Sequence, residues 1–496
     1  MFQMQNDQSQ SCTNHLSSFK SIDPTHCHAS AHPQDASGSV AFSVKDKGAE
    51  EEASSVSINE AATRYIRRLA GSGSDYLGKK VTSAVITVPT NFSDKQREAL
   101  VKATNDAGLE VLQLVSDPVA AVLAYDARPE AEIKDKIVVV ADLGGTRSDV
   151  AVIASRGGMY TVLATVHDYE FAGVHLDNAL MEHFAKEFIK KHNVDPRNNV
   201  RSLAKLRQES ENTKKALSLG TNAQFSVESL ADGFDFSTTI NRLRYEMVAR
   251  KVFDGFNRLI EGAVKKAELD VLDVDEVIMS GGTSHTPRIA NNLANIFPES
   301  TEILAPATSP NAINPSELQA RGAALQASLI QEYEATDIEQ STHPAVTTVN
   351  HIANAIGVLT VGADGETFTP VIQAETAVPA RRTVHIAAPK AGGDVLIKVV
   401  EGGTHIKVTK PEPKAKDEKQ NGDDDDDSDF DSEEEEEEKR EKIWKTGKQL
   451  AEAAIKAVKA SGKVEVTINV LGDLSVTVTA REVGGKGGVR GNLTAA

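Results

Sequence analysis

The segment richest in chemistry is DLGGTRSDV, Asp142 to Val150. The apolar run IVVVADL leads into it and ends in a carboxylate, two glycines and a second carboxylate at Asp149. Glycine lets backbone N–H groups approach an anion closely, and a carboxylate at a strand end can hold a metal's water shell. The same residues also suit an ordinary strand-to-hairpin turn. A second pair, Gly281 and Gly282, follows the apolar EVIMS and precedes a helix opened by Pro287. Both pairs would lie at C-terminal strand ends, the edge of an open α/β sheet where ligands bind. Between them Glu211, Lys214, Lys215 and Ser218 recur at i, i+3, i+4 and i+7, one polar face of a helix. Such a face is either a contact surface or simply solvated.

Positioning these residues requires strands alternating with helices. AVITVP at Ala84 to Pro89, VLQLV at Val111 to Val115 and IVVVADL at Ile137 to Leu143 are short β-branched runs that predict buried strands. Ser93 with Gln96 is a capping box, its helix closed by Gly108, and Asp117 before Pro118 opens another helix. Val150 to Ala154 and Thr161 to Thr165, joined by Arg156, Gly157 and Gly158, predict a hairpin. Helices are expected near Ala61 to Leu69, Leu176 to Lys191, Leu203 to Ser218, Arg244 to Glu268 and Ile313 to Ile330. Past Tyr333 the pattern turns to alternating polar and apolar residues separated by glycines, a separate β-rich module. One short amphipathic helix is expected within it, Leu450 to Val458.

Of the net charge of −18, thirteen acids lie between Asp423 and Glu438, so the remainder carries about −5. That near-neutral body excludes a basic protein that recognises nucleic acid directly. The stretch 410–441 cannot pack and is expected to loop out as a solvated acidic insertion. The two cysteines, Cys12 and Cys27, offer no disulfide framework. With His15, His26, His28 and His32 they cluster as metal ligands might, but at no standard zinc spacing, and a flexible N-terminal segment over 1–57 is the expectation. No apolar run of bilayer length and no secretion signal occurs, which predicts a cytoplasmic protein.

Taken in order, TSAVITVPTNFSDKQREAL, VLQLVSDPVAAVLAY, DLGGTRSDV, ESENTKKALS, MSGGTSHTPRI and INPSELQARGAALQA resemble successive signatures of the Hsp70 nucleotide-binding domain. IGVLTV, FTPVIQAETAVPARRTV and VLIKVVEGG resemble the start of the family's substrate-binding β-sandwich. The resemblance implies an α/β fold: an actin/Hsp70-like nucleotide-binding domain over 58–333, N-terminally truncated. A linker over 334–350, a small β-sandwich domain over 351–485 without a helical lid, and a tail over 486–496 would follow it. It implies ATP as cofactor, with magnesium. Carried over by position, Asp142, Gly144, Gly145, Thr146 and Asp149 would form the phosphate loop. Glu211, Lys214, Lys215 and Ser218 would hold the nucleoside, and Gly281, Gly282 and Thr283 would form the second adenosine loop.

Departures from the family pattern shape the expected function. Members read DLGGGTFDV, whereas here Thr146 replaces the third glycine, Arg147 the catalytic-loop threonine and Ser148 the phenylalanine. Asp117 stands for a glutamate, His285 for the arginine that stacks on adenine, and Ser316 for an acid. The first phosphate loop and the phosphate-contacting lysine are missing, and STHPAVTTVN lacks the usual leucine-rich acidic linker. Each lost electrostatic group typically costs ~10²- to 10³-fold in phosphoryl transfer, while binding draws on many contacts. The pattern most resembles the atypical Hsp70 subunits of the fungal ribosome-associated complex. It implies a co-chaperone that binds ATP with little or no hydrolysis and is a stable partner of a zuotin-like J-domain protein. Such a subunit meets the ribosome indirectly, works with a second Hsp70 on nascent polypeptides, and touches no membrane. The alternatives are an ATP-hydrolysing peptide chaperone with an incomplete N-terminus and, less well supported, a sugar-kinase-like phosphotransferase.

Overall fold

The computed structural model describes residues 31–36, 39–44, 54–128, 134–334, 336–337, 349–362, 365–388, 392–409, 439–460, 462–485 and 488–493. Cys12, His15, His26, Cys27 and His28, and most of the acidic insertion, lie outside these residues. The chain divides into two compact units, Met1–Thr342 and His343–Ala496.

In the first unit the elements run β1 (Ala31–Ala36), β2 (Ser39–Val44), β3 (Ser54–Ser57), α1 (Ile58–Leu77), β4 (Ser83–Val88), α2 (Asp94–Asp106), β5 (Glu110–Ser116), α3 (Asp117–Asp126) and β6 (Lys136–Leu143). They continue with β7 (Ser148–Arg156), β8 (Met159–Asp168), α4 (Gly173–His192), α5 (Val200–Leu219), β9 (Asn222–Ala231), β10 (Phe234–Asn241), α6 (Arg242–Val248), α7 (Arg250–Lys266), β11 (Glu276–Ser280), α8 (Pro287–Ile296), β12 (Glu302–Leu304) and α9 (Leu318–Glu332). The central sheet has the order β12-β11-β6-β7-β8, with β6, β11 and β12 parallel and β7 and β8 forming the antiparallel hairpin expected from the sequence.

Strand β6 shows why this sheet forms. Ile137, Val139, Ala141 and Leu143 face one apolar cluster and Val138 and Val140 face another, so period-2 alternation buries both sides. The first cluster is filled by Phe184 and Phe188 of α4, Phe225 of β9 and Phe253 and Phe256 of α7. Phe184 and Phe225 stack with ring centroids 3.9 Å apart. On the other face α3 and α9 lie so close that a Cβ on Gly322 would overlap the Ala120 carbonyl oxygen.

Several expectations need correction. The segment up to 57 is not without structure: β1, β2 and β3 form a three-stranded antiparallel sheet, with Ala41 buried. Arg244 to Glu268 is two helices, because Ala249 leaves the helical region at ψ 7°. Asp117 is the first residue of α3 and Ser116 its cap. The helix expected from Ile313 begins at Leu318, after Asn314 Oδ1 has accepted from the Ser316 amide in a turn. The capping box at Ser93 and Gln96 is present, with Gln96 Oε1 accepting from the Ser93 amide at 2.9 Å.

The second unit is all β: β13 (His351–Ile352), β14 (Ala355–Gly362), β15 (Gly365–Ile372), β16 (Thr376–Ala377), β17 (Ala380–Ala387), β18 (Gly393–Thr409), β19 (Lys439–Val458), β20 (Lys463–Val470), β21 (Val476–Glu482) and β22 (Gly488–Leu493). Two four-stranded sheets, β15-β14-β18-β19 and β17-β20-β21-β22, share one apolar core. Val358, Ile397 and Ile455 enter it from one sheet and Val464, Ile468 and Val478 from the other. Leu450 to Val458 is therefore strand, not helix. Ala451, Ala453 and Ala454 pair with Val399, Ile397 and Leu396, and this cross-strand pairing overrides the helical preference of alanine. The tail over 486–496 likewise contains β22, paired with β21.

Candidate functional site

The turn between β6 and β7 is closed by the Gly144 amide, which donates to the Arg147 carbonyl at 2.9 Å. Gly145 and Thr146 are exposed at its tip. The N-terminus of α4 docks against it, Gly173 donating to the Gly144 carbonyl at 3.0 Å and Val174 to the Gly145 carbonyl at 2.7 Å. The second glycine turn meets the first here, as Thr283 Oγ1 donates to the Gly144 carbonyl at 2.9 Å. Gly281 adopts φ +83°, and a Cβ there would lie 2.5 Å from the Leu143 carbonyl oxygen and 2.7 Å from Asp142 Oδ1. Only glycine supports that approach in that backbone conformation.

The helical quartet divides. Lys214 points inward: its Nζ lies 2.8 Å from Asp177 Oδ1 on α4 and donates to the Gly173 carbonyl at 3.3 Å. Glu211 and Lys215 form an exposed ion pair at 2.7 Å. The Ser218 hydroxyl donates back to the Lys214 carbonyl at 3.2 Å. Burial pushes the Asp177 carboxyl up, and Lys214 opposes that shift. Lys214 is thus a tie between α4 and α5 at the foot of the glycine turns.

Beside the turn three carboxylates converge. A cavity of about 10 Å³ is lined by Asp117, Asp142, Asp149, Arg147, His167, Thr90 and neighbouring apolar groups. That is room for roughly one water molecule. Asp142 Oδ2 accepts from Gln319 Nε2 at 2.7 Å, and Asp149 accepts from Arg147 Nε on one oxygen and meets His167 Nδ1 with the other, each at 2.5 Å. Arg147 also lies over the Tyr169 ring, 5.9 Å from its centroid. Burial, with added repulsion from Asp142 and Asp149, lifts the Asp117 carboxyl to about 6. Burial also raises Asp142, against the hydrogen bond from Gln319. Ser148, in place of an aromatic residue, is fully buried and donates to the Phe171 carbonyl at 2.6 Å.

Of the residues expected at the site, Gly144, Gly145, Thr283 and Lys214 meet the N-terminus of α4, Gly281 packs against Leu143 and Asp142, and Thr146, Glu211 and Lys215 are exposed. His167, Gln319 and Asp177 were missed. His167 had a signal, since the hairpin register sets it opposite Asp149. Gln319 had none, being 177 positions from Asp142.

Residues 7–412 match the family described as Hsp70 protein. The chain is 43% identical over 478 residues to the ribosome-associated complex subunit SSZ1 of Saccharomyces cerevisiae, covering 96% of this chain and 86% of that protein. It is 42% identical over 472 residues to a heat shock protein 70 homolog of Schizosaccharomyces pombe, covering 94% and 81%. With a 70 kDa heat shock protein of Paracoccidioides lutzii it shares 33% over 371 residues, 74% of this chain and 54% of that one. The chain belongs to the Hsp70 family, and its first unit is that family's mixed α/β nucleotide-binding domain. Among the described residues no helix is long and apolar enough to cross a membrane.

The family implies an adenine nucleotide with a divalent ion, and the two ends of the site answer differently. Glu211, Lys215 and Gly282, expected at the nucleoside end, are exposed to solvent. The phosphate end does not fit. Arg147 lines its cavity and bonds Asp149, and among the described residues no group of three or more His, Cys, Asp or Glu is arranged to hold a metal.

Proposed function

We propose that this chain is an atypical Hsp70-type co-chaperone whose nucleotide role is binding without turnover, and that it assists nascent chains at the ribosome as the stable partner of a zuotin-like J-domain protein. The observation that carries the first half is Arg147 on Asp149, inside a cavity with room for one water. Phosphoryl transfer rests on positioned charge around the transferred group, and a cation bonded there removes the place for it. Glu211, Lys215, Ser218, Gly281, Gly282 and Thr283 would supply nucleoside contacts, and Asp142, Gly144, Gly145, Thr146 and Asp149 would line the altered phosphate end. The second half is supported by the extent of the similarity to the yeast ribosome-associated complex subunit, which exceeds that to the 70 kDa heat shock protein in both identity and coverage. A second, catalytically competent Hsp70 would then act on the nascent chain, in the cytoplasm.

Two measurements test this reading. Equilibrium binding with labelled ATP should detect adenosine nucleotide, while single-turnover hydrolysis stays at the rate without protein. Purification of the tagged chain from its own cells should recover one J-domain protein in equal amount, together with ribosomes that high salt removes. Steady-state turnover at an ordinary Hsp70 rate, or recovery of the chain alone, would refute it.

A further inference from the structure

The body of the chain is near neutral on average, but α1 gathers cations on one exposed face. Between Ile58 and Lys80 the chain sets Arg64, Arg67, Arg68, Lys79 and Lys80 against Glu60 and Asp75, all of them exposed. We propose that this face of α1 binds single-stranded RNA, its arginines meeting phosphates and its two exposed tyrosines stacking on bases. The choice of RNA rests on the proposed place of this chain at the ribosome, a particle whose surface is rich in RNA phosphate.

Three observations support this. Arg64, Arg67, Arg68 and Gly71 follow the i, i+3, i+4, i+7 spacing of one helix face, and with Ser72 and Asp75 they line a concavity of about 350 Å³. Guanidinium groups placed side by side in this way offer forks that match phosphate oxygens. Their contacts within the chain are light: Arg64 shares an exposed ion pair with Glu60, a kind worth little in water, and Arg67 donates to the Asp106 carbonyl through Nη2 at 2.8 Å. Second, a Cβ on Gly71 would meet nothing within 4 Å, and its φ is not positive. Neither packing nor backbone demands glycine there, where it weakens the helix, but its missing side chain keeps the concavity open. Third, Tyr65 and Tyr76 stand on the adjoining stripe of α1, 70% and 91% exposed, with Leu69 between them. Rings left in water beside arginines form a stacking platform for bases.

An acidic protein segment would also satisfy the cations. The tyrosine stripe favours RNA, because a nucleotide brings a stacking face with every phosphate and a carboxylate side chain does not. Magnitudes limit the strength of the contact. Each phosphate neutralised on a single strand adds about 0.7 to the salt dependence, so the five cations of α1 can supply a slope of up to about −3.5. That is modest, sequence-tolerant binding that adds to attachment through a partner.

Fluorescence anisotropy of a labelled oligouridine with the purified full-length chain tests the proposal without ATP or partner. Binding should be measurable at about 50 mM salt and weaken as salt rises, with a slope of about −2 or steeper. Arg64→Ala combined with Arg68→Ala should make that slope shallower by about 1.4. Tyr65→Ala combined with Tyr76→Ala should weaken binding about tenfold and leave the slope unchanged. Gly71→Leu should raise the thermal unfolding midpoint and yet weaken binding, a pair of effects that damage to the fold cannot produce. The proposal is overturned if the wild type binds no oligouridine at low salt, or if the double arginine variant keeps the wild-type slope. Displacement of the RNA by polyglutamate at equal charge would also overturn it and assign the face to an acidic protein. Failure to bind RNA, alongside recovery of a J-domain protein and ribosomes from cells, would sink this inference and leave the proposed function standing.

Discussion

The hydroxyl of Thr283 donates to the carbonyl of Gly144 at 2.9 Å, joining two glycine turns that lie 139 positions apart in the chain. The same carbonyl accepts from the Gly173 amide, so three segments meet at one oxygen. The candidate site is a single piece because of this junction, and its strength can be measured.

Thr283→Val removes the hydroxyl but leaves Gly144 one donor, so the expected loss is about 1 kcal/mol by urea unfolding. Gly173→Ala should cost more, about 2 kcal/mol, because its Cβ would meet Thr283 Oγ1 at 2.5 Å and the Gly144 carbonyl at 3.3 Å. Combining Gly173→Ala with Thr283→Ala relieves the first clash and not the second. The double variant should therefore lose less than the sum, and strict additivity would show that the junction is not tight.

Asp117 gives a pH dependence with a definite sign. Its carboxyl titrates near 6 in the folded chain against an ordinary 3.8, chiefly from burial. The folded state therefore holds a proton that the unfolded state has already released, and stability falls as pH climbs from about 4 to 6 and is level beyond. Two units correspond to roughly 3 kcal/mol, an upper value that solvent at the cavity mouth reduces. Asp117→Asn should raise the unfolding midpoint at about pH 8 and give no advantage at about pH 4. An equal gain at both values would assign the effect to packing.

Lys214 and Asp177 are both close to fully buried, at 13% and 10% exposure. Lys214→Met should cost about 3 to 5 kcal/mol because it strands the Asp177 charge. Adding Asp177→Leu should recover most of the loss, read by the same denaturation curves. Failure of the second substitution to rescue would show that Lys214 matters through its bond to the Gly173 carbonyl instead.

At Gly322 two effects oppose each other. Alanine within a helix normally gains about 0.5 to 1 kcal/mol over glycine. Here its Cβ would overlap the Ala120 carbonyl oxygen, and backbone cannot rotate aside as a side chain can. Separating α3 from α9 should outweigh the gain and cost about 3 kcal/mol net. A stabilised Gly322→Ala would mean the two helices are not in contact at that point.

Local signals made much of this readable from the sequence. The Ser93 capping box, the β-branched run of β6 and the paired glycines each act within a few residues, and each appears as expected. What depends on partners far along the chain was hidden. Alanine-rich Leu450 to Val458 reads as helix until β18 is known to lie beside it, and Lys214 reads as one of four equivalent polar residues until Asp177 is placed opposite. Arg147 stood out as an unusual residue, but that its charge turns inward is set by Asp149, Tyr169 and the fold around them.

The long hairpin of the second unit carries a consequence of its own. Thr409 pairs directly with Lys439, so the ends of segment 410–438 are already held together by the sheet. Doubling the length of chain between two ends held in this way adds only about 0.6 kcal/mol of closure entropy. The number of residues between those two strands therefore weighs little on the folding of the sheet that joins them.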